Sequence, residues 1–143
     1  MSPQQPIKEL YVAEATARGG RDGRVTSDDG QLDLTVNTPR EMGGSGQGTN
    51  PEQLFAAGYG ACFHSAFHLV ARRERVDVSG STVTARVAIG QTDDGGYGLR
   101  VTLVTTVPGR DEEEVRPLVE AAHQVCPYSR ATRGNIEVEL RIG

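Results

Sequence analysis

Thr49-Asn50-Pro51-Glu52-Gln53-Leu54-Phe55-Ala56-Ala57-Gly58-Tyr59-Gly60-Ala61-Cys62-Phe63 is the stretch on which the fold turns. It opens as a helix start. Thr49 or Asn50 can cap, Pro51 suits the first turn, and Thr49-x-x-Glu52 has the spacing of a capping box. From Leu54 to Val70 the residues are apolar or small on nearly every side, which describes a helix buried all round rather than one lying on a surface. Its last turn, Ala71-Arg72-Arg73-Glu74-Arg75, puts cations where the helix dipole favours them. A chain of 143 residues offers such a helix too little cover from one sheet. The expectation is a homodimer in which two copies of the helix pack together.

Strand patterns lie on both sides of it. Ile7 to Arg18 reads as a strand, and Gly19-Gly20-Arg21-Asp22-Gly23 as a turn dense in residues that accept positive φ. Val25 and Leu32-Asp33-Leu34-Thr35-Val36 alternate with polar neighbours around Asp29-Gly30, a hairpin signal. Residues Gly43 to Gly48 form a glycine-rich loop before the helix. After it, Val83, Ala85, Val87 and Ile89 alternate with polar residues, Asp93-Asp94-Gly95-Gly96 turns the chain, and Leu99, Val101, Leu103 and Val107 return. Asp111-x-x-Glu114 starts a second helix running to about Val125, with Pro117 inside it expected to kink it or delay its start. Cys126-Pro127 ends it, and Ile136, Val138, Leu140 and Ile142 mark a final strand. The order β-β-β-α-β-β-α-β, joined by hairpins rather than crossovers, is α+β with mostly antiparallel sheets around two main helices, in a single domain over residues 1–143.

Composition narrows the function. Net charge is −4, from 15 basic and 19 acidic residues, and no basic tract is present to grip a phosphate backbone, so nucleic acid is not an expected partner. Met1-Ser2-Pro3-Gln4-Gln5-Pro6 has no basic stretch leading into an apolar one, and no apolar run approaches the ~20 residues of a bilayer span. The chain therefore reads as cytoplasmic, with no membrane partner. In a reducing compartment its two cysteines, Cys62 and Cys126, are either inert core or chemistry rather than a structural staple.

Taken singly, each thiol admits the bland reading of a small buried hydrophobe. Metal binding is a further alternative: His123 and Cys126 have His-x-x-Cys spacing, and His64 and His68 stand one helical turn apart. At about 100° per residue, however, both histidines of that pair face away from Cys62, and no second cysteine accompanies either thiol at short spacing. No metal and no bound cofactor is expected. A zinc-stabilised structural domain remains the competing picture.

The quoted stretch from Thr49 to Phe63 resembles the first signature of the organic hydroperoxide resistance (Ohr) family, which belongs with OsmC in one superfamily of thiol peroxidases. Val125-Cys126-Pro127-Tyr128-Ser129 and Ala131-Thr132-Arg133-Gly134-Asn135 resemble its second signature, with Arg130 interrupting it. Gly19 to Arg24 and Thr38-Pro39-Arg40-Glu41 fit the same pattern. The resemblance covers nearly the whole chain. It implies an intertwined homodimer and a cysteine-based peroxidase that reduces organic hydroperoxides to alcohols. By position, Cys62 would be the peroxidatic thiol and Cys126 the resolving one, with Arg21 and Glu52 organising the thiolate. Dihydrolipoamide or a lipoylated protein would be the external reductant. An OsmC-type peroxidase of different substrate preference, or a thiol redox sensor or ligand-binding module without turnover, would share these features.

Physical chemistry gives each residue its task. The attacking sulfur must be a thiolate. Cys62 lies about ten residues into its helix, roughly 15 Å from the N-terminus, where the dipole gives no help, and burial would raise its pKa. A cation must come close, and Arg21 on the glycine-rich turn suits the task. Glu52 beside a thiolate would oppose ionisation, so its useful role is to hold Arg21. Glu52 is also too far along the helix from Cys62 to share its site, so the expectation is that Glu52 comes from the partner subunit. Phe55, Tyr59, Phe63 and Tyr128 are candidates for pocket lining or for core.

Overall fold

Period-two alternation builds two three-stranded sheets, one from the strands before the apolar helix in the chain and one from the strands after it. The structure, a computed structural model, describes residues 5–143; the first four residues of the N-terminal hexapeptide lie outside the described residues. The chain divides into two compact units, Met1–Leu54 and Phe55–Gly143.

In the first unit, β1 (Ala15–Arg18), β2 (Gly23–Ser27) and β3 (Asp33–Val36) form an antiparallel sheet in sequence order. The turn between β1 and β2 needs glycine: Gly19 and Gly20 have φ of 79° and 60°, and a Cβ on Gly23 would run into the Arg18 carbonyl oxygen. The expected strand from Ile7 is cut back to Ala15–Arg18. Ala15 pairs with Ser27, the last residue of β2, and only the Asp28 N–H to Glu14 carbonyl bond continues the pairing. Ile7, Leu10, Tyr11 and Val12 are consequently exposed. A 3₁₀ turn at Arg40–Met42 leads into the glycine loop.

Helix α1 (Pro51–Arg73) starts as its sequence requires, although not by the expected box. Asn50 is the cap, its Oδ1 accepting the Gln53 N–H at 2.8 Å, and Thr49 donates to the Gln53 side chain. Glu52 is left free for another partner. Nor is α1 buried all round in the single chain. Tyr59, Gly60, Phe63, Ala66, Phe67, Val70 and Ala71 are buried, while Ala57, Ala61 and Ser65, at four-residue spacing, are bare. Contrary to expectation, the helix is long enough to cross a membrane, and an 18-residue window within it reaches the mean hydropathy (1.2) of a membrane span. The alanines and phenylalanines raise the mean without a continuous apolar run, and the phenylalanine face is spent on the protein core.

In the second unit β4 (Thr82–Gln91) and β5 (Tyr97–Thr106) pair antiparallel over their full length, with the alternation as expected. Helix α2 (Glu112–Val125) is capped by Asp111, which accepts the Glu114 N–H, and it runs continuously through Pro117 without a delayed start. Two features differ from the sequence reading. A short helix α3 (Pro127–Thr132) follows α2, and β6 (Glu137–Ile142) pairs with β5 in parallel, Arg100 opposite Glu137. The β5-α2-α3-β6 connection is thus a crossover, because two helices carry the chain back along the sheet before β6 begins. Phe63 and Phe67 of α1, Val101 and Leu103 of β5, and Val115, Val119 and Ala122 of α2 form a core with no accessible surface.

Candidate functional site

Two thiols separated by 64 residues meet in the second unit: the Cys126 sulfur lies 3.4 Å from that of Cys62. Cys62 is half-buried at the middle of α1, where the helix turns it toward α3. Cys126 is fully buried at the corner between α2 and α3. Its backbone N–H closes α2 on the Ala122 carbonyl, and its sulfur accepts the Ser129 N–H at 3.5 Å as the cap of α3. Pro127, lacking an N–H and preset in φ, occupies the first position of α3 and makes the corner sharp. In the sequence Cys126-Pro127 reads as a helix end; in the structure the same proline also begins α3.

Burial pushes the Cys62 thiol up from its ordinary range. The Tyr128 backbone N–H opposes the rise by favouring the thiolate, and the neighbouring Cys126 thiol adds to it. Left to these groups, Cys62 is predominantly a thiol at neutral pH.

The four aromatic candidates separate. Phe63 is core, and Tyr59 has no accessible surface. Phe55 is half-buried and Tyr128 is 43% exposed, and their rings meet each other and Tyr59 at centroid distances of 5.8–6.5 Å. The Tyr128 ring also lies over Gly58. Behind these rings is a buried polar cluster that composition and periodicity did not announce. Tyr59 Oη lies 2.8 Å from Ser129 Oγ and 3.0 Å from Thr132 Oγ1, and His123 Nδ1 lies 2.8 Å from Ser129 Oγ. The partners are 70 and 73 residues apart along the chain, so no local pattern could join them.

The first unit holds the other two expected residues. Arg21 and Glu52 form a bidentate ion pair with N–O distances of 2.8 and 3.0 Å. Asp22, next to Arg21, accepts both the N–H and the hydroxyl of Thr38, which fastens the turn. The Arg21 guanidinium holds the Glu52 carboxyl below the usual carboxylate range, against the opposing effect of burial. The structure thus joins Cys62 with Cys126, and Arg21 with Glu52, each pair within its own unit.

His64 and His68 stack at 4.4 Å between ring centroids, with His64 Nε2 at 3.0 Å from Ser81 Oγ. His123 is engaged by Ser129, not by Cys126. Among the described residues, no three side chains of His, Cys, Asp or Glu converge as a metal site would need.

Residues 44–141 match the profile of the OsmC-like protein family. A relative called organic hydroperoxide resistance protein, from Xanthomonas axonopodis pv. citri, is 54% identical over 139 residues, covering 96% of this chain and 97% of its own. Two solved structures superpose closely. The organic hydroperoxide resistance protein of Elizabethkingia anophelis, with thiocyanate bound, gives a TM-score of 0.89 at 52% identity, covering 96% of this chain and 99% of that one. The organic hydroperoxide resistance protein OhrB of Bacillus subtilis gives 0.86 at 46% identity, covering 94% and 100%. With a family profile matched over two-thirds of its length and relatives aligned nearly end to end, the chain belongs to the organic hydroperoxide resistance group of the OsmC-like family.

Proposed function

We propose that the protein is a thiol peroxidase that reduces organic hydroperoxides to the corresponding alcohols. The observation that carries this reading is the 3.4 Å approach of two unlinked thiols, one half-buried and one fully buried. The Cys62 thiolate attacks the peroxide O–O bond; the alkoxide leaves, takes a proton as the alcohol, and Cys62 becomes a sulfenic acid. The Cys126 thiol then displaces the sulfenic hydroxyl as water, forming the Cys62–Cys126 disulfide. Two electrons and two protons from a dihydrolipoyl group, free or on a lipoylated protein, return both sulfurs to thiols.

A thiol held up by burial needs a cation during turnover. In this reading Arg21 supplies it, and Glu52 orients the guanidinium. The pair acts on the Cys62 of a partner subunit in a homodimer, since Glu52 and Cys62 are roughly 15 Å apart along one helix. The bare Ala57, Ala61 and Ser65 face of α1 supports such a dimer, and so does the shallow groove of about 440 Å³ that Ala57 and Ala61 line with Val83 and Ala85. A reducing, cytoplasmic setting suits a disulfide that exists only within the cycle.

Intact mass after one equivalent of cumene hydroperoxide tests the chemistry. The expected result is a loss of two hydrogens that Cys126→Ser abolishes, with continued peroxide consumption once dihydrolipoamide is supplied. Unchanged mass in the wild-type protein would overturn the proposal, and disulfide formation without turnover would make it a sensor.

A further inference from the structure

The buried cluster beside Cys126 has one self-consistent arrangement of protons. Thr132 Oγ1 lies 3.2 Å from the Ser129 carbonyl, which can only accept, so Thr132 spends its single proton there. It must then accept from Tyr59 Oη, whose proton is thereby used. Tyr59 in turn accepts from Ser129 Oγ, and Ser129 Oγ accepts from His123 Nδ1. The wire runs one way, from His123 through Ser129 and Tyr59 to Thr132, and it requires the proton of a neutral His123 to sit on Nδ1. Burial and the Arg133 charge both lower the His123 pKa, in keeping with a neutral ring. Tyr59, Ser129 and Thr132 are almost wholly inaccessible, so water cannot replace a missing member.

Ser129 is where this wire touches the sulfurs. Its side chain is held by His123 and Tyr59, its carbonyl by Thr132, and its N–H is given to Cys126 Sγ. Tyr59 precedes Cys62 by three residues, one turn of α1. The Tyr59–Ser129 bond therefore fastens the start of α3 to the turn of α1 that carries the other sulfur. We propose that His123, Ser129 and Tyr59 are positioning residues for disulfide closure, fixing the Cys126 sulfur against Cys62. This rests on the peroxidase reading only in naming the oxidant that starts the closure.

The closing step balances without further reagents. The Cys126 sulfur attacks the Cys62 sulfenic sulfur, the S–O bond breaks, and hydroxide leaves with the thiol proton as water. A misplaced Cys126 leaves the sulfenic acid exposed to a second hydroperoxide, which carries it to sulfinic acid. Tyr59→Phe removes one hydroxyl and keeps the ring, and His123→Leu removes the first donor. His123→Asn puts a side-chain N–H near the place of Nδ1.

Closure is timed by intact mass and by dimedone capture of the sulfenic acid, with cumene hydroperoxide in one arm and diamide, a thiol oxidant that needs no peroxide chemistry, in the other. Loss of one buried bond and a small displacement should slow closure about tenfold in Tyr59→Phe and His123→Leu in both arms. In the hydroperoxide arm, dimedone adduct and sulfinic acid should rise at the expense of disulfide, and His123→Asn should restore the wild-type partition. Wild-type closure rates in Tyr59→Phe and His123→Leu, or an equal defect in His123→Asn, would overturn the proposal. Wild-type protein that closes with diamide and ignores the hydroperoxide would remove the peroxidase reading, while the same variants still decide the positioning role.

Discussion

Two glycines of α1 let the site's packing be weighed against helix propensity. In a helix interior, Gly→Ala is favourable by about 1 kcal/mol through backbone entropy alone. At Gly60 a new Cβ would meet the Val83 carbonyl oxygen at 3.7 Å and Ala85 Cβ at 3.8 Å, ordinary contact distances. Gly60→Ala should therefore keep the full gain. At Gly58 the same Cβ would stand 3.2 Å from Tyr128 Oη and 3.3 Å from Cε2, tight enough that the ring must move by a few tenths of an ångström. The ring end is mobile in principle, since Tyr128 is 43% exposed, but the move loosens its contacts with Tyr59 and Phe55. Giving up part of those contacts should cost about 0.5 kcal/mol, half the propensity gain. The net expectation is stabilisation of about 0.5 kcal/mol for Gly58→Ala against about 1 kcal/mol for Gly60→Ala. Guanidinium unfolding of reduced protein at one fixed concentration measures both. In a Tyr128→Ala background Gly58→Ala should recover the whole propensity gain, because the obstacle is gone. Destabilisation of Gly58→Ala by more than about 1 kcal/mol would show that the Tyr128 ring is fixed. An unchanged effect in the double variant would show that the ring is not the obstacle. Either result refutes the reasoning.

The Arg21–Glu52 pair should show itself in the pH dependence of stability. Its ionised form is the bonded one, so the Glu52 pKa is lower in the folded chain than in the unfolded, and its contribution is complete above the ordinary glutamate value of about 4.3. As pH falls through the depressed folded value that contribution is lost. Glu52→Gln should therefore cost about 1 kcal/mol at pH 7 and progressively less in acid, as read from urea midpoints between pH 7 and 3. A deficit that persists unchanged at pH 3 would assign it to packing. Light scattering at micromolar concentration should give twice the chain mass of 15.3 kDa if the bare face of α1 is covered by a second copy, and a monomeric mass would count against the dimer.

Local chemistry made much of this molecule readable in advance. Residues two apart on β4 and β5 must point the same way, Asp111 must satisfy a helix N-terminus, and Gly19 and Gly20 must allow a left-handed turn, so these elements follow from their own residues. The family signatures carried the two cysteines, Arg21 and Glu52, since a signature records the outcome of a fold without deriving it. Where neighbours along the chain do not supply the constraint, the reading failed. β1 stopped at Ala15 because its partner strand ended, and β6 ran parallel because the helical connection after β5 carries the chain back along the sheet before β6 begins. Glu52 left the capping box for an arginine 31 residues away, since a bidentate ion pair outcompetes one backbone N–H, and the Thr49 N–H is already taken by the Thr35 carbonyl of β3. The apolar excess of α1 could be read from its residues, but which face stays bare depends on where the β4–β5–β6 sheet and α2 pack against it. The hydroxyls of Tyr59, Ser129 and Thr132 show the division most clearly. Ser129 and Thr132 are one turn apart on α3, but nothing along the chain relates them to Tyr59, and only burial in one place, where each polar group must find a partner, turns the three into a directed wire beside the thiols.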